Sequence, residues 1–352
     1  DLNDMIDGMS FVTYPVYYDY QAKLNYRLNE QHRLSLDVYG GYDGTEMQLD
    51  RVDDSDPLLT GSGDFDIDFE SAFVHYRYDD GILALDLSPG FYRYGQTATF
   101  GELYLSYAIE HIDINQDARL KIGKHNTVGA GLRVLPRFIT VDSNFIRPPK
   151  EGDIDPSFTN DERIVAKVDE QDLIVAAYLQ DEIELGPVTL IPGIHWDYES
   201  RLNAYAVDPR AAVRLRVAEP LTLKAGGGVY HRVPEPDEIF EPWGNPELLL
   251  ERAFHCIGGF EWSITDAVEL DVQGYYKYLD DLVAPTGDQR VYDNSADGDV
   301  YGAEVLLRHN WSDRFFGWIS YSLARSTRND GAGTPDRPFD MDQRHNLVAL
   351  AS

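Results

Sequence analysis

Over residues 268–278 apolar and polar positions take turns. Val268, Leu270, Val272, Gly274, Tyr276 and Tyr278 fall on one face, and Glu269, Asp271, Gln273, Tyr275 and Lys277 on the other. A period of two is that of a β-strand with one apolar face. Strands of soluble domains average about 5–6 residues, whereas a strand that crosses a bilayer takes roughly 9–11 tilted residues. The pattern recurs along the chain: Tyr18, Tyr20, Ala22, Leu24, Tyr26 and Leu28 oppose Asp19, Gln21, Lys23, Asn25 and Arg27, and Phe315, Gly317, Ile319, Tyr321 and Leu323 oppose Ser320 and Ser322. It predicts fifteen strands, at about 15–28, 32–42, 67–78, 81–93, 102–120, 126–139, 172–185, 188–199, 209–218, 221–231, 254–263, 266–280, 300–309, 314–326 and 343–352, and no convincing helix.

The connections between these strands alternate in kind. Tight ones at "LNEQ", "DDG", "GKHN", "LGP", "AEP", "TDA" and "NWSD" take turns with long polar ones around 43–66, 140–171, 232–253, 281–299 and 327–342; those near 94–101 and 200–208 are intermediate. Short turns on one side and long loops on the other are the rhythm of a transmembrane barrel, whose apolar strand faces meet lipid and whose polar faces line a wet lumen. A soluble β-sandwich shows the same alternation but mixes its loop lengths. The densest apolar run, "LIVAAYL" at 173–179, has strand length, so a transmembrane helix is excluded. Twenty-three Tyr against four Met is a balance that favours strands and interfacial aromatic belts.

Sixty-one acidic against thirty basic residues give a formal charge of −31, which disfavours nucleic acid as a partner because a phosphate backbone wants a basic footprint. Cys256, the single cysteine, allows no internal disulfide, and its parity with Phe254, Phe260 and Trp262 puts it on the lipid side as a small apolar residue. The opening "DLNDMIDGMS" lacks the basic start and apolar run of a signal peptide. HExxH, GxSxG, P-loop and CxxC patterns are missing, and the glycines of "AGGG" (225–228) and "GAG" (129–131) sit inside alternating strands as packing or curvature devices, so neither an enzyme nor a cofactor is expected. In "DNSADGDVYGAE", Asp293, Ser295, Asp297, Gly298 and Glu304 match the spacing of an EF-hand loop, but the motif needs flanking helices, and Tyr301–Arg308 alternates as a strand. The expectation is a solvated loop that runs into a strand and binds no calcium. The acidic stretches at 50–56 and 151–156 have the composition to hold divalent ions, although charge runs are usually only solvated.

The stretches "GNPELLLERAFHCIGGFEW" (244–262), "YYKYLDDLV" (275–283), "YGAEVLLR" (301–308), "YSLARSTR" (321–328) and "FDMDQRHNL" (339–347), in that order and at strand spacing, resemble the C-terminal half of TonB-dependent outer-membrane receptors. "AAYLQDEI" (176–183), "LIPGIHWDYES" (190–200) and "VDPRAAVRLRV" (207–217) extend the likeness, which is close over residues 170–352 and looser before them. The resemblance implies an all-β protein, a long antiparallel meander forming part of a barrel of roughly 22 strands around a plug. Residues 1–352 are then expected to be a single barrel segment of about fifteen strands, incomplete at both ends, without the plug, the TonB-contacting box or the last strands. Strand direction would place them as the fourth to the eighteenth.

The function so implied is active uptake across the outer membrane of a Gram-negative bacterium, for a scarce nutrient such as a ferric siderophore or cobalamin. The partners implied are outer-membrane lipid and lipopolysaccharide, the small-molecule substrate, and the TonB inner-membrane complex acting through the plug. A passive porin or a surface adhesin barrel is the alternative, and a soluble β-sandwich binding protein a third reading. In the family, outer loops contact the ligand. His231, Glu235, Asp237, Glu238, Trp243 and Asn245, in and beside the 232–253 loop, are the candidate ligand-binding residues here. They lack the paired His spacing of a metal site. The polar strand faces carry both signs (Asp19, Lys23, Glu269, Asp271, Lys277, Glu304 and Arg308), so the charge pattern names no substrate.

Overall fold

A computed structural model describes residues 11–49, 62–146, 163–240, 244–285, 292–310, 315–331 and 333–352. Within them the chain forms β1 (Phe11–Arg27), β2 (His32–Leu49), β3 (Ser62–Asp79), β4 (Leu83–Phe100), β5 (Leu103–Ile122), β6 (Asn126–Ile146), β7 (Arg163–Leu185), β8 (Val188–Glu199), β9 (Ala204–Ala218), β10 (Leu221–Arg232), β11 (Glu251–Ser263), β12 (Val268–Pro285), β13 (Tyr292–His309), β14 (Gly317–Asn329), β15 (Arg337–Pro338) and β16 (His345–Ala351). One turn of helix, α1 (Pro236–Ile239), interrupts the series. The strands make a single antiparallel meander in chain order from β1 to β15, with β16 also paired to β14.

All fifteen expected strands are present. The additional one, β15, is a two-residue ladder near the C-terminal end of β14 (Thr327↔Pro338, Arg328↔Arg337). Between β15 and β16 the chain still follows β14: Phe339 N–H donates to the Ser326 carbonyl (3.0 Å), the Asp342 carboxylate takes the Ser326 N–H (2.9 Å), and Ala324 N–H donates to the Arg344 carbonyl (3.1 Å). A stretch expected as one long loop therefore spends part of its length satisfying an edge.

Strand ends beside tight turns fall within three residues of expectation, whereas the ends leading into long connections run further. β2 continues to Leu49, β3 begins at Ser62, β6 reaches Ile146 and β7 begins at Arg163. Ladder hydrogen bonds need no apolar side chain, so pairing persists beyond the point where one face stops being apolar. The tight turns are specified locally. Gly81 takes a positive φ (+87°), Asp79 accepts the Gly81 N–H at 2.8 Å, and Asp80 accepts those of Ile82 (2.9 Å) and Leu83 (2.7 Å). The backbone donors Leu83 and Ile82, followed by the Tyr78 hydroxyl, hold the Asp80 carboxyl below its ordinary value.

The chain divides into two compact units, residues 1–118 with 132–175, and residues 119–131 with 176–352. In the first unit charges pair across strands on the polar face: Lys23 Nζ lies 2.8 Å from Asp37, and His75 Nε2 3.1 Å from the same carboxylate. In the second unit the ladder registers carry one apolar row across four strands, Trp262↔Leu270, Leu270↔Leu307 and Leu307↔Ile319. That row is solvent-facing; Trp262 is 43% and Ile319 50% exposed. Exposed apolar rows of this length mark a surface made for lipid or a partner rather than water.

Candidate functional site

The opposite, polar face of the second unit holds a cavity of about 500 Å³. Its floor is small: Ala211 and Ala212 of β9 and Gly226 and Gly227 of β10, with Gly226 opposite Ala212 on one side and Ile257 on the other. The glycine run at 225–228 is thus the base of a hollow, a role beyond the packing or curvature expected of it. Around the floor stand Arg210, Tyr230, His255, Tyr275, Lys277 and Glu304. Period-two geometry puts Gln273, Tyr275 and Lys277 on this side and sends Val272, Tyr276 and Tyr278 to the other. Tyr275 is held by its cross-strand partner Gly302, where a Cβ would come within 2.6 Å of the phenol oxygen and 2.5 Å of the Leu323 carbonyl. Only glycine leaves room for the ring to lie over β13.

Three cations on this face are neutralised across strands. Arg214 reaches Glu261 at 2.5 Å, Lys224 reaches Asp271 at 2.6 Å, and Arg308 pairs with Glu269. The cavity differs. Arg210 lies over the Tyr230 ring at 4.8 Å and is 4.0 Å from Asp208, whose carboxylate is already taken by His231 through Nδ1 (2.6 Å) and the His231 N–H (3.1 Å). Tyr230 in turn meets His255, ring centroids 4.5 Å apart. Lys277 Nζ sits 5.8 Å from the Tyr275 ring, and Glu304 accepts a hydrogen bond from Gln273 at 2.5 Å.

β10 carries the chain from this cavity into the outer segment that holds the expected ligand residues. Ile239, Leu248 and Tyr292 are buried together there, with Leu202, Val233 and Val283 against them. Glu238 accepts the Glu235 N–H at 2.7 Å and so caps α1. Asn245 donates to the Tyr292 carbonyl (2.7 Å) and accepts the Glu247 N–H (2.9 Å). Glu251, 8% exposed at its side chain, binds Arg232 at 2.6 Å. Burial works to lower the Arg232 guanidinium, but Glu251, then Glu235 and Glu238, hold it above its ordinary value. His231, Glu238 and Asn245 thus knit the segment, and the Glu235 carboxylate is the exposed one, 3.6 Å from Arg232. Asp237 lies in α1, and Trp243 and the acidic stretches at 50–56 and 151–156 lie outside the described residues. Leu248→Ala should cost about 2–5 kcal/mol by emptying the centre of this cluster. Limited proteolysis should then cut within 233–250, and an uncleaved loop would show that the cluster is dispensable.

The twelve positions 293–304 lie within β13, with Asp293 opposite Ala284 and Glu304 opposite Gln273. At about 3.3 Å per residue the strand carries Glu304 roughly 23 Å from Asp297, too far to share an ion.

The residues around the cavity that composition and motif reading passed over are Arg210, Tyr230 and His255. Their parity was legible, but which strands face one another across the floor depends on register.

The family model described as TonB dependent receptor-like, beta-barrel, matches residues 6–352. No curated protein sequence matches the chain. Among solved structures, it is similar to the outer membrane transporter YddB of Escherichia coli, at a TM-score of 0.71 and 11% identity over 96% of this chain and 55% of that one. A variant of the ferric enterobactin receptor PfeA of Pseudomonas aeruginosa gives 0.70 and 14%, over 97% and 62%. The alcaligin outer membrane receptor FauA of Bordetella pertussis gives 0.68 and 12%, over 96% and 57%. The chain therefore spans a little over half the length of these structures, and at such identities the likeness is one of fold.

Proposed function

This chain belongs to the TonB-dependent receptor β-barrel family, and we propose that it forms membrane-spanning wall and outer loops of an active transporter in the outer membrane of a Gram-negative bacterium. The observation that carries the reading is the division of each long hairpin in the second unit. One face is an exposed apolar row, Trp262, Leu270, Leu307 and Ile319, and the other is a charge-paired polar face with a cavity. Lipid accepts the first and a water-filled lumen the second. As a segment of a larger barrel, the chain leaves lipid and lipopolysaccharide as neighbours of its apolar face. The substrate is a scarce small molecule, a ferric siderophore or cobalamin, and energy comes from the TonB complex through a plug in the whole receptor. The ferric enterobactin and siderophore receptors and the iron transporter among the similar structures favour the ferric siderophore. The outer segment 231–245 is the ligand's first contact, with Glu235, an exposed acid of that segment, at the surface.

Uptake decides between this and a passive pore. Cells carrying the full-length protein should take up radio-iron as its siderophore complex, and collapse of the proton-motive force should abolish that uptake. Uptake that persists in de-energised cells would favour the passive porin, and surface attachment without uptake the adhesin.

A further inference from the structure

We propose that the cavity over β9, β10, β11 and β12 binds a single compact anionic group, a carboxylate on a planar frame, between Arg210 and Lys277. The inference rests on the reading of the polar face as lumen wall and deepens it by naming what the wall recognises.

The chain has twice as many acidic as basic residues, so carboxylates are in ample supply to neutralise its cations. Arg214, Lys224 and Arg308 on the same face each have one in hydrogen-bond contact. At the cavity that supply stops. Among the described residues Lys277 makes no ion pair, and its nearest noted companion is the Tyr275 ring. Arg210 Nε is buried with no hydrogen-bond partner, and the one acid near its guanidinium, Asp208, is committed to His231. A desolvated guanidinium N–H without an acceptor is costly, and an incoming carboxylate would satisfy it with a charge-assisted bond.

Shape agrees with charge. Tyr230 and His255 stand ring to ring between the two cations, since Arg210 covers Tyr230 and His255 is paired in register with Lys277. A planar group can lie against them. The small floor of Ala212 and Gly226 gives it depth, and the volume is that of a small-ligand pocket. Glu304, held by Gln273, borders the far side and repels a second negative charge there. The cavity is thus matched to one anionic end. Two sources offer that chemistry: a small acid in transit, or an acidic side chain of polypeptide within the lumen.

The test uses the full-length receptor in detergent micelles, with para-fluorobenzoate as probe and para-fluorobenzyl alcohol as its neutral counterpart, read by fluorine NMR. Binding needs no energy coupling, so this result and the uptake result fail separately. If a free acid is the occupant, the benzoate binds and the alcohol does not. Arg210→Met and Lys277→Met each weaken binding about tenfold or more. Lys224→Met, which removes a paired cation, changes it little. Gly226→Leu, which fills the floor without altering charge, abolishes binding and serves where a methionine variant fails to fold.

If a polypeptide carboxylate already occupies the cavity, the wild type leaves the probe free. Arg210→Met and Lys277→Met then lower the unfolding midpoint at low salt, and Arg210→Lys retains it. Equal binding of acid and alcohol would overturn the proposal. So would benzoate binding that survives both methionine variants, or a wild type that ignores the probe while those variants keep its midpoint.

Discussion

Val272→Arg is expected to cost about 2–4 kcal/mol of folding stability in a bilayer, and Gln273→Arg little, although the two positions are adjacent. Val272 is the fifth residue of β12 from a tight turn, about half the strand length that spans a membrane. Its ladder partners Phe260 and Val305 continue the apolar face, on which Val272 is half-buried. An arginine there must strip its charge of water or drag water into the hydrocarbon. At position 273 the new guanidinium would meet Glu304, which the native glutamine already contacts. Urea titrations of the full-length receptor folded into phospholipid vesicles measure both. Equal losses would show that this face does not meet lipid and would remove the ground for the transporter reading.

A second large effect is expected in the other unit. Arg137 of β6 grips Asp172 of β7 in a two-pronged pair, Nε to Oδ1 at 2.7 Å and Nη2 to Oδ2 at 2.6 Å, and the carboxylate is 1% exposed. Truncating one member of a buried pair strands the other charge, so Asp172→Ala should cost about 3–5 kcal/mol. The double variant that also removes Arg137 should lose less than the sum of the two single changes, because no charge is then left unpaired. Additive losses in the same titration would mean that water reaches the pair and that the strands are held by their ladder alone.

These expectations differ in how early they could be formed. The alternation at 268–278 needs only the period of a strand, and Leu270 and Gln273 are assigned to opposite faces before any fold is known. Tight turns are equally local. Glycine at "DDG" and the aspartates before it fix the chain reversal by their own backbone preference and short side-chain acceptors. The turn-proximal ends of the strands were therefore legible to within a few residues.

The distal ends were not, because hydropathy alternation marks only strands with one apolar face, whereas the ladder needs none. Where β2 and β3 run on through "DGTEMQL" and "SGDFD", Met47 and Phe65 share a face with Asp43, Thr45 and Gly63, so the alternation fades while the hydrogen bonds between strands continue. The short pairing of Arg337 and Pro338 with β14 is invisible for the same reason.

The sequence by itself determined the class of fold and the sidedness of each strand, since these follow from a period of two and from turn chemistry. It also carried the family. The tertiary structure alone decided which residues meet. Arg210, Tyr230, His255 and Lys277 lie on four different strands, and their assembly over a glycine floor depends on three ladder registers, any of which a one-residue slip would reverse. It likewise decided that His231, Glu238 and Asn245 are spent on holding the outer segment, because a side chain's duty is set by the acceptor or donor that folding brings within about 3 Å of it.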